Sequence, residues 1–211
     1  MGVSKVEIAN MALDALGVER IASLTENSAP ARIINTRIDQ AIDAVLEMSD
    51  WTFARRITAL ASVANDWEQR YQIKYSLPND TVKVIRLVPQ IDIPNTVPIP
   101  FSLANGALYT DEPDAILQYT YRHVDTPSWP MSFTETVSFY LARACAYPLT
   151  RKRAMFVDMH SLMSEQLEKA IEFDASQEAT FWAYPSEYLE ARGASARSGD
   201  GRGADGSSYW E

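Results

Sequence analysis

Apolar positions recur every three or four residues at the two ends of the chain and every second residue in its middle. That pattern predicts helices, then strands, then helices. At the amino end Val6, Ala9, Leu13 and Leu16 share one face. Ser4 and Glu7 precede them at the spacing of a capping box, and Gly17 stands where a left-handed residue ends a helix. Val18 to Asn27 reads as a connector. Ser28 then caps a second helix, with Pro30 tolerated in the first turn. Its apolar stripe is Ile34, Ile38, Ala41, Val45 and Met48, and its wet face is Asn35, Asp39, Asp43 and Glu47. Two helices joined by a short connection are expected to pack antiparallel.

From Trp51-Thr-Phe53-Ala54-Arg55-Arg56 the chain is expected to turn back along the core, the two adjacent arginines pointing apart into surface salt bridges. Alternation then sets in. Tyr71 to Leu77 and Val82 to Leu87 read as strands around the turn Pro78-Asn79-Asp80. Pro89 to Pro100 favours edges and loops. Phe101 to Tyr109 reads as a hairpin, because Asn105-Gly106 supplies the positive φ angles of a type I′ turn. Ile116 to Val124 is the last strand of what is expected to be one small antiparallel sheet.

After Pro127-Ser-Trp129-Pro130 two long helices follow. Ser132 and Glu135 form a second capping-box pair, and Phe156, Met159, Met163, Leu167 and Ala170 form the stripe of the final helix. Residues 115–174, a strand delivered into a helix pair, read as a docking scaffold. Beyond Glu178 the periodicity stops. Phe181, Trp182 and Tyr184 are aromatic but irregular, and Gly193 to Ser208 holds five of the eight glycines, a linker composition. The chain ends in Tyr209-Trp210-Glu211, an aromatic tip with the composition of a docking peptide or, equally, a frayed terminus. The expected fold is α+β: a four-helix bundle core with an inserted antiparallel β-module and an extended C-terminal tail. Its parts are 1–50, 51–130, 131–180 and 181–211.

The 211 residues carry 28 acidic against 19 basic side chains, a net charge of -9. That excludes the basic footprint of a general nucleic-acid binder, but suits a wall past which DNA slides without sticking. The single Cys145 sits on an apolar helix and reads as a small buried hydrophobe in a reducing setting. No apolar run approaches the roughly 18 residues of a membrane span, and the chain is taken as soluble and unprocessed. Val6 breaks a myristoylation pattern after Met1-Gly2.

Candidate chemistry is sparse. His123 and His160 are the two histidines. Asp158 and His160, two apart on a helix, fall on different faces and cannot share a metal. His123 reads as solvent-facing on its strand. Gly201-Arg-Gly203-Ala-Asp-Gly206 spells a dinucleotide-binding pattern without the strand and helix that would make it one. Asp111, Glu112 and Asp114 could be offered as the acid and base of a glycosidase, yet turn residues of this type are expected there. No catalytic, cofactor-binding or metal-binding residue is assigned.

In order and spacing, several blocks resemble the tail tubular protein A family, the head-to-tail adaptors of short-tailed bacteriophages. They are Ala9 with Leu16-Gly17; Trp51-Thr-Phe53-Ala54 to Leu60; and Tyr75-Ser-Leu77-Pro78-Asn79-Asp80. The last runs from Tyr119 and Tyr121 through Asp125, Trp129 and Phe133 to Leu141-Ala142, Ala170 and Asp174. Together they span Ser4 to Glu178. Thr81-Val82-Lys83 departs from the family's Cys-Leu-Arg-like triplet without disturbing the apolar alternation. The resemblance implies a non-enzymatic virion protein, a subunit of a dodecameric ring between portal and tail nozzle that extends the DNA ejection channel. Portal and nozzle proteins are then its partners, with DNA passing unbound through the lumen and no membrane. Tyr209 and Trp210, with Phe181, Trp182 and Tyr184, become portal-docking candidates, and Asp39, Asp43 and Glu47 become channel-lining candidates. Two other readings stay open: a tail-associated enzyme degrading polysaccharide or peptidoglycan, and a non-viral interaction module.

Overall fold

The computed structural model of the chain describes residues 3–89 and 98–177. Helix α1 (Lys5–Leu16) has the ends its sequence encodes. The Ser4 hydroxyl accepts from the Glu7 amide at 3.2 Å, and the Glu7 carboxylate accepts from the Ser4 amide at 2.6 Å. Gly17 closes the helix at φ 66°, its N–H and that of Val18 reaching back to the carbonyls of Asp14 and Leu13.

The second predicted helix is two helices, α2 (Ala29–Asn35) and α3 (Ile38–Met48). The break has a local cause. The Thr36 hydroxyl donates to the carbonyls of Ile33 at 2.9 Å and Arg32 at 3.3 Å, offering the backbone an alternative to continuing the ladder. Ile34 and Ile38 still both reach the core on either side of it, whereas Met48 ends 39% exposed.

After a single 3-10 turn, Thr52–Ala54, come β1 (Arg55–Ala59) and β2 (Ser62–Val63), then β3 (Ile73–Ser76), β4 (Thr81–Val88), β5 (Ser102–Ala104), β6 (Ala107–Thr110) and β7 (Ile116–Tyr121). They do not form one sheet. They form two antiparallel ones, ordered β1-β7-β4 and β2-β3-β6-β5. Tyr75 and Leu108 from the second sheet meet Leu87, Leu117 and Tyr119 from the first in a common apolar cluster, so the β-module is a small sandwich. Asn105 and Gly106 both have positive φ (51° and 69°), and β5 pairs with β6 as their turn dictates.

Helices α4 (Met131–Thr150) and α5 (Arg153–Ser176) complete the chain. The expected Ser132–Glu135 box is absent: Pro130 occupies the N-cap without a side-chain bond, and the Glu135 carboxylate accepts instead from Gln166 on α5 at 2.8 Å. Helix α4 is the hub, packing against α1, α2, α3 and α5. It buries Phe133, Val137, Leu141, Ala142, Cys145 and Ala146, and hides Thr134, Thr136 and Ser138 by turning their hydroxyls onto carbonyls one turn back.

The expected four-helix bundle core is therefore corrected. The described residues hold five helices gathered on α4 beside two antiparallel sheets. The α+β class itself fits. A bundle of paired amphipathic helices would carry one seam per helix, and α4 is buried on too many sides for that arrangement.

Candidate functional site

The predicted acidic residues sit one turn apart along α3, and their surroundings are mixed in charge. Lys5 on α1 reaches Asp39 at 2.7 Å. Arg122, just past β7, forks onto Asp43 with Nε at 2.7 Å from Oδ1 and Nη2 on Oδ2, which holds the guanidinium firmly protonated. The Arg122 amide also donates to the Asp80 carbonyl at 2.7 Å. Lys83 pairs with Asp50, and Arg56 with Asp80, each at 2.7 Å. Glu47 is exposed and has no ion-pair partner among the described residues.

Between α3 and the ends of β4 and β7 these side chains line an open polar cleft of about 230 Å³, bounded by Asp43, Glu47, Asn79, Asp80, Thr81 and Arg122. Alternating carboxylates and cations on such a surface each stabilise by only about 0–1 kcal/mol, so they tie α3 to the sandwich without rigidity. A wall of this kind holds neither a metal nor an anion strongly.

Sequence reasoning missed a polar relay at the exit of β7. His123 is half-buried, its ring edge-on to Phe53 at 5.8 Å and Tyr121 at 5.0 Å. Its Nδ1 meets the Tyr121 hydroxyl, its Nε2 meets Ser128 Oγ, and Ser128 Oγ donates to the Asp125 carbonyl at 2.8 Å. With the serine proton committed to Asp125, Nε2 donates to Ser128 and Nδ1 accepts from Tyr121. That is the tautomer opposite to one that would draw a proton from the serine, so the trio clamps the turn before α4 and does not arm a nucleophile. Burial lowers the imidazole pKa below its ordinary 6.5, Asp125 opposing and Arg56 reinforcing the shift. His123 was expected to face solvent on its strand; the strand ends at Tyr121 and the ring is half-buried instead, so the legible signal was only the two-residue spacing of Tyr121 and His123.

The remaining candidates are placed plainly. Asp111 accepts from the Gln72 amide at 2.8 Å, the Glu112 carbonyl accepts from the Tyr75 hydroxyl at 2.9 Å, and Asp114 takes φ 50°. All three build the turn between β6 and β7. Asp158 and His160 are exposed on α5, and no cluster of metal-ligating side chains occurs among the described residues. Cys145 is fully buried and its thiol is pushed up to about 11 by that burial, which makes it unreactive. Phe181, Trp182, Tyr184, Tyr209 and Trp210, and the 201–206 glycine pattern, lie outside the described residues.

Exposed apolar side chains on the last two helices were not foreseen. Met131 and Tyr147 on α4, and Phe156, Val157, Leu162 and Phe173 on α5, are all at least two-fifths exposed. Phe156 had been expected within the buried stripe of α5, which instead comprises Met159, Met163, Ala170 and Asp174. Asp174 is the acid that accepts from both the amide and the hydroxyl of Thr52, at 3.0 and 2.8 Å, docking α5 onto the start of the β-module.

No protein-family model matches this chain, and no curated protein sequence matches it.

Proposed function

We propose that the chain is a structural virion protein, a head-to-tail adaptor whose copies form a ring between portal and tail nozzle and extend the DNA channel. The observation that carries the reading is the ordered series of blocks from Ala9 through Trp51-Thr-Phe53, Tyr75 to Asp80 and Trp129 to Asp174, which resembles the tail tubular protein A family over most of the chain. Packing supports a role inside an assembly. A hairpin of two long helices leaves Met131, Tyr147, Phe156, Leu162 and Phe173 exposed, apolar side chains that contact with a neighbouring subunit would cover. In the ring, the polar face of α3 with Asp39, Asp43 and Glu47 lines the lumen. Its interleaved charges give DNA nothing to grip, and unpaired Glu47 repels phosphate. A ring structure with these three residues at subunit contacts would remove that role.

Tyr209 and Trp210, with Phe181, Trp182 and Tyr184, anchor the subunit on the portal, since aromatic side chains carry much of the energy of such contacts. Removing everything after Gly193 should abolish co-sedimentation with the portal ring while circular dichroism and thermal unfolding stay those of the full chain. Undiminished binding by the truncated chain would end the assignment of Tyr209 and Trp210; Phe181, Trp182 and Tyr184 stay in that chain and are tested by their own replacement with alanine.

A further inference from the structure

Helix α5 uses Met159, Met163 and Ala170 to pack into its own fold, yet a second line of residues runs beside that stripe. Arg153, Val157, His160, Ser164, Leu167 and Ile171 follow at steps of four and three, the spacing of a helix–helix seam. Leu167 is partly buried on the core, while Val157 is 57% and Ile171 36% exposed. The line is symmetric. Ser164, its smallest member, stands midway between Val157 and Ile171, and midway between His160 and Glu168. An antiparallel copy crossing at Ser164 therefore sets each Val157 against the other copy's Ile171, and each His160 beside the other copy's Glu168.

Charge points the same way. Lys152 and Arg153 open α5, and Glu168 and Glu172 lie toward its far end. This is the reverse of what a helix dipole favours, since cations weaken the positive N-terminal end and anions the negative C-terminal end. All four are exposed, and none has an ion-pair partner among the described residues. In the antiparallel pair the basic end of each helix lies along the acidic end of the other, and the two dipoles oppose.

We propose that α5 is a self-association seam on which two copies of this chain pair antiparallel, crossing at Ser164. A cyclic ring holds every copy the same way up, so the pair is a state of the free chain, independent of the adaptor reading, and it must part before a ring closes.

The test is sedimentation equilibrium of the full chain, without portal, at micromolar concentration. The chain should sediment at twice its monomer mass. The double variants Lys152→Glu/Arg153→Glu and Glu168→Lys/Glu172→Lys should each sediment as monomers, and an equimolar mixture should return to dimer mass, because only the mixed pair has complementary ends. Each reversal improves the match to the helix dipole, so each variant should keep the parent's helical circular dichroism, and the return of the mixture to dimer mass separates lost pairing from unfolding. A parent that stays monomeric, as it would if another segment of the chain or a different protein covers α5, overturns the proposal. So do a parent assembly larger than a dimer, association indifferent to both reversals, and a mixture that stays monomeric.

Discussion

Trp51 sits in the helical core where the chain leaves α3 for the first strand. It is 1% exposed, its indole N–H donates to the Val45 carbonyl at 2.8 Å, and its ring meets Phe133 edge-on at 5.0 Å. Phe133 in turn contacts Phe53 at 4.8 Å and Trp129 at 5.0 Å, so removing one ring unpacks a cluster. Trp51→Ala is expected to lower unfolding free energy by about 3–5 kcal/mol, read from urea melts. At the edge of that cluster His123 makes stability pH-dependent. Its pKa is lower folded than unfolded, so as pH falls the unfolded chain takes up the proton first. The contribution of neutral His123 is fully present above about 6.5 and is lost as pH drops through the folded value. Titration of the imidazole by NMR should give a midpoint below 6.5 in the folded chain. The decline in stability on acidification should be shallower in His123→Gln, and an unchanged slope would contradict the relay.

At the scale of elements, local chemistry that closes on itself was readable in the sequence. Ser4, Glu7 and Gly17 delimit α1, and Asn105-Gly106 makes its hairpin, because each signal is completed within a few residues. Gly17 has open space around it and φ 66°, so Gly17→Ala meets no clash and pays only for the left-handed backbone. A loss of about 1–2 kcal/mol is expected in a thermal or urea melt, and a neutral result would show that the α1 terminus relaxes. Signals that depend on distant partners were not readable. Ser132 and Glu135 have the capping spacing, but Pro130 begins α4 and Glu135 is drawn to Gln166. The side-chain bond that interrupts the ladder at Thr36 leaves the apolar stripe unbroken, so periodicity reads α2 and α3 as one helix. Strands β1 and β2 are short and largely exposed, with no alternation to announce them, and missing them merged two sheets into one. The candidate site was legible to the same degree: the acidic face of α3 was visible in sequence, its cations Lys5 and Arg122 were not.

For the whole molecule, the two apolar cores divide the labour. The helical core gathers on α4, while the sandwich core is closed by Leu87, Leu108, Leu117 and Tyr119. Val82 of β4 packs against the helical core, and the ion pairs Lys83–Asp50 and Arg122–Asp43 cross between the helices and the sandwich. The described residues present a salt-laced polar cleft between α3 and the ends of β4 and β7, and exposed apolar side chains on the α4–α5 hairpin. On the proposed adaptor reading, these surfaces are held among copies and neighbours. The measurement that tests the adaptor proposal most directly is co-sedimentation of the full chain with its cognate portal ring. The adaptor account predicts binding at one copy per portal subunit; a folded, monodisperse chain that leaves the portal ring bare would contradict it.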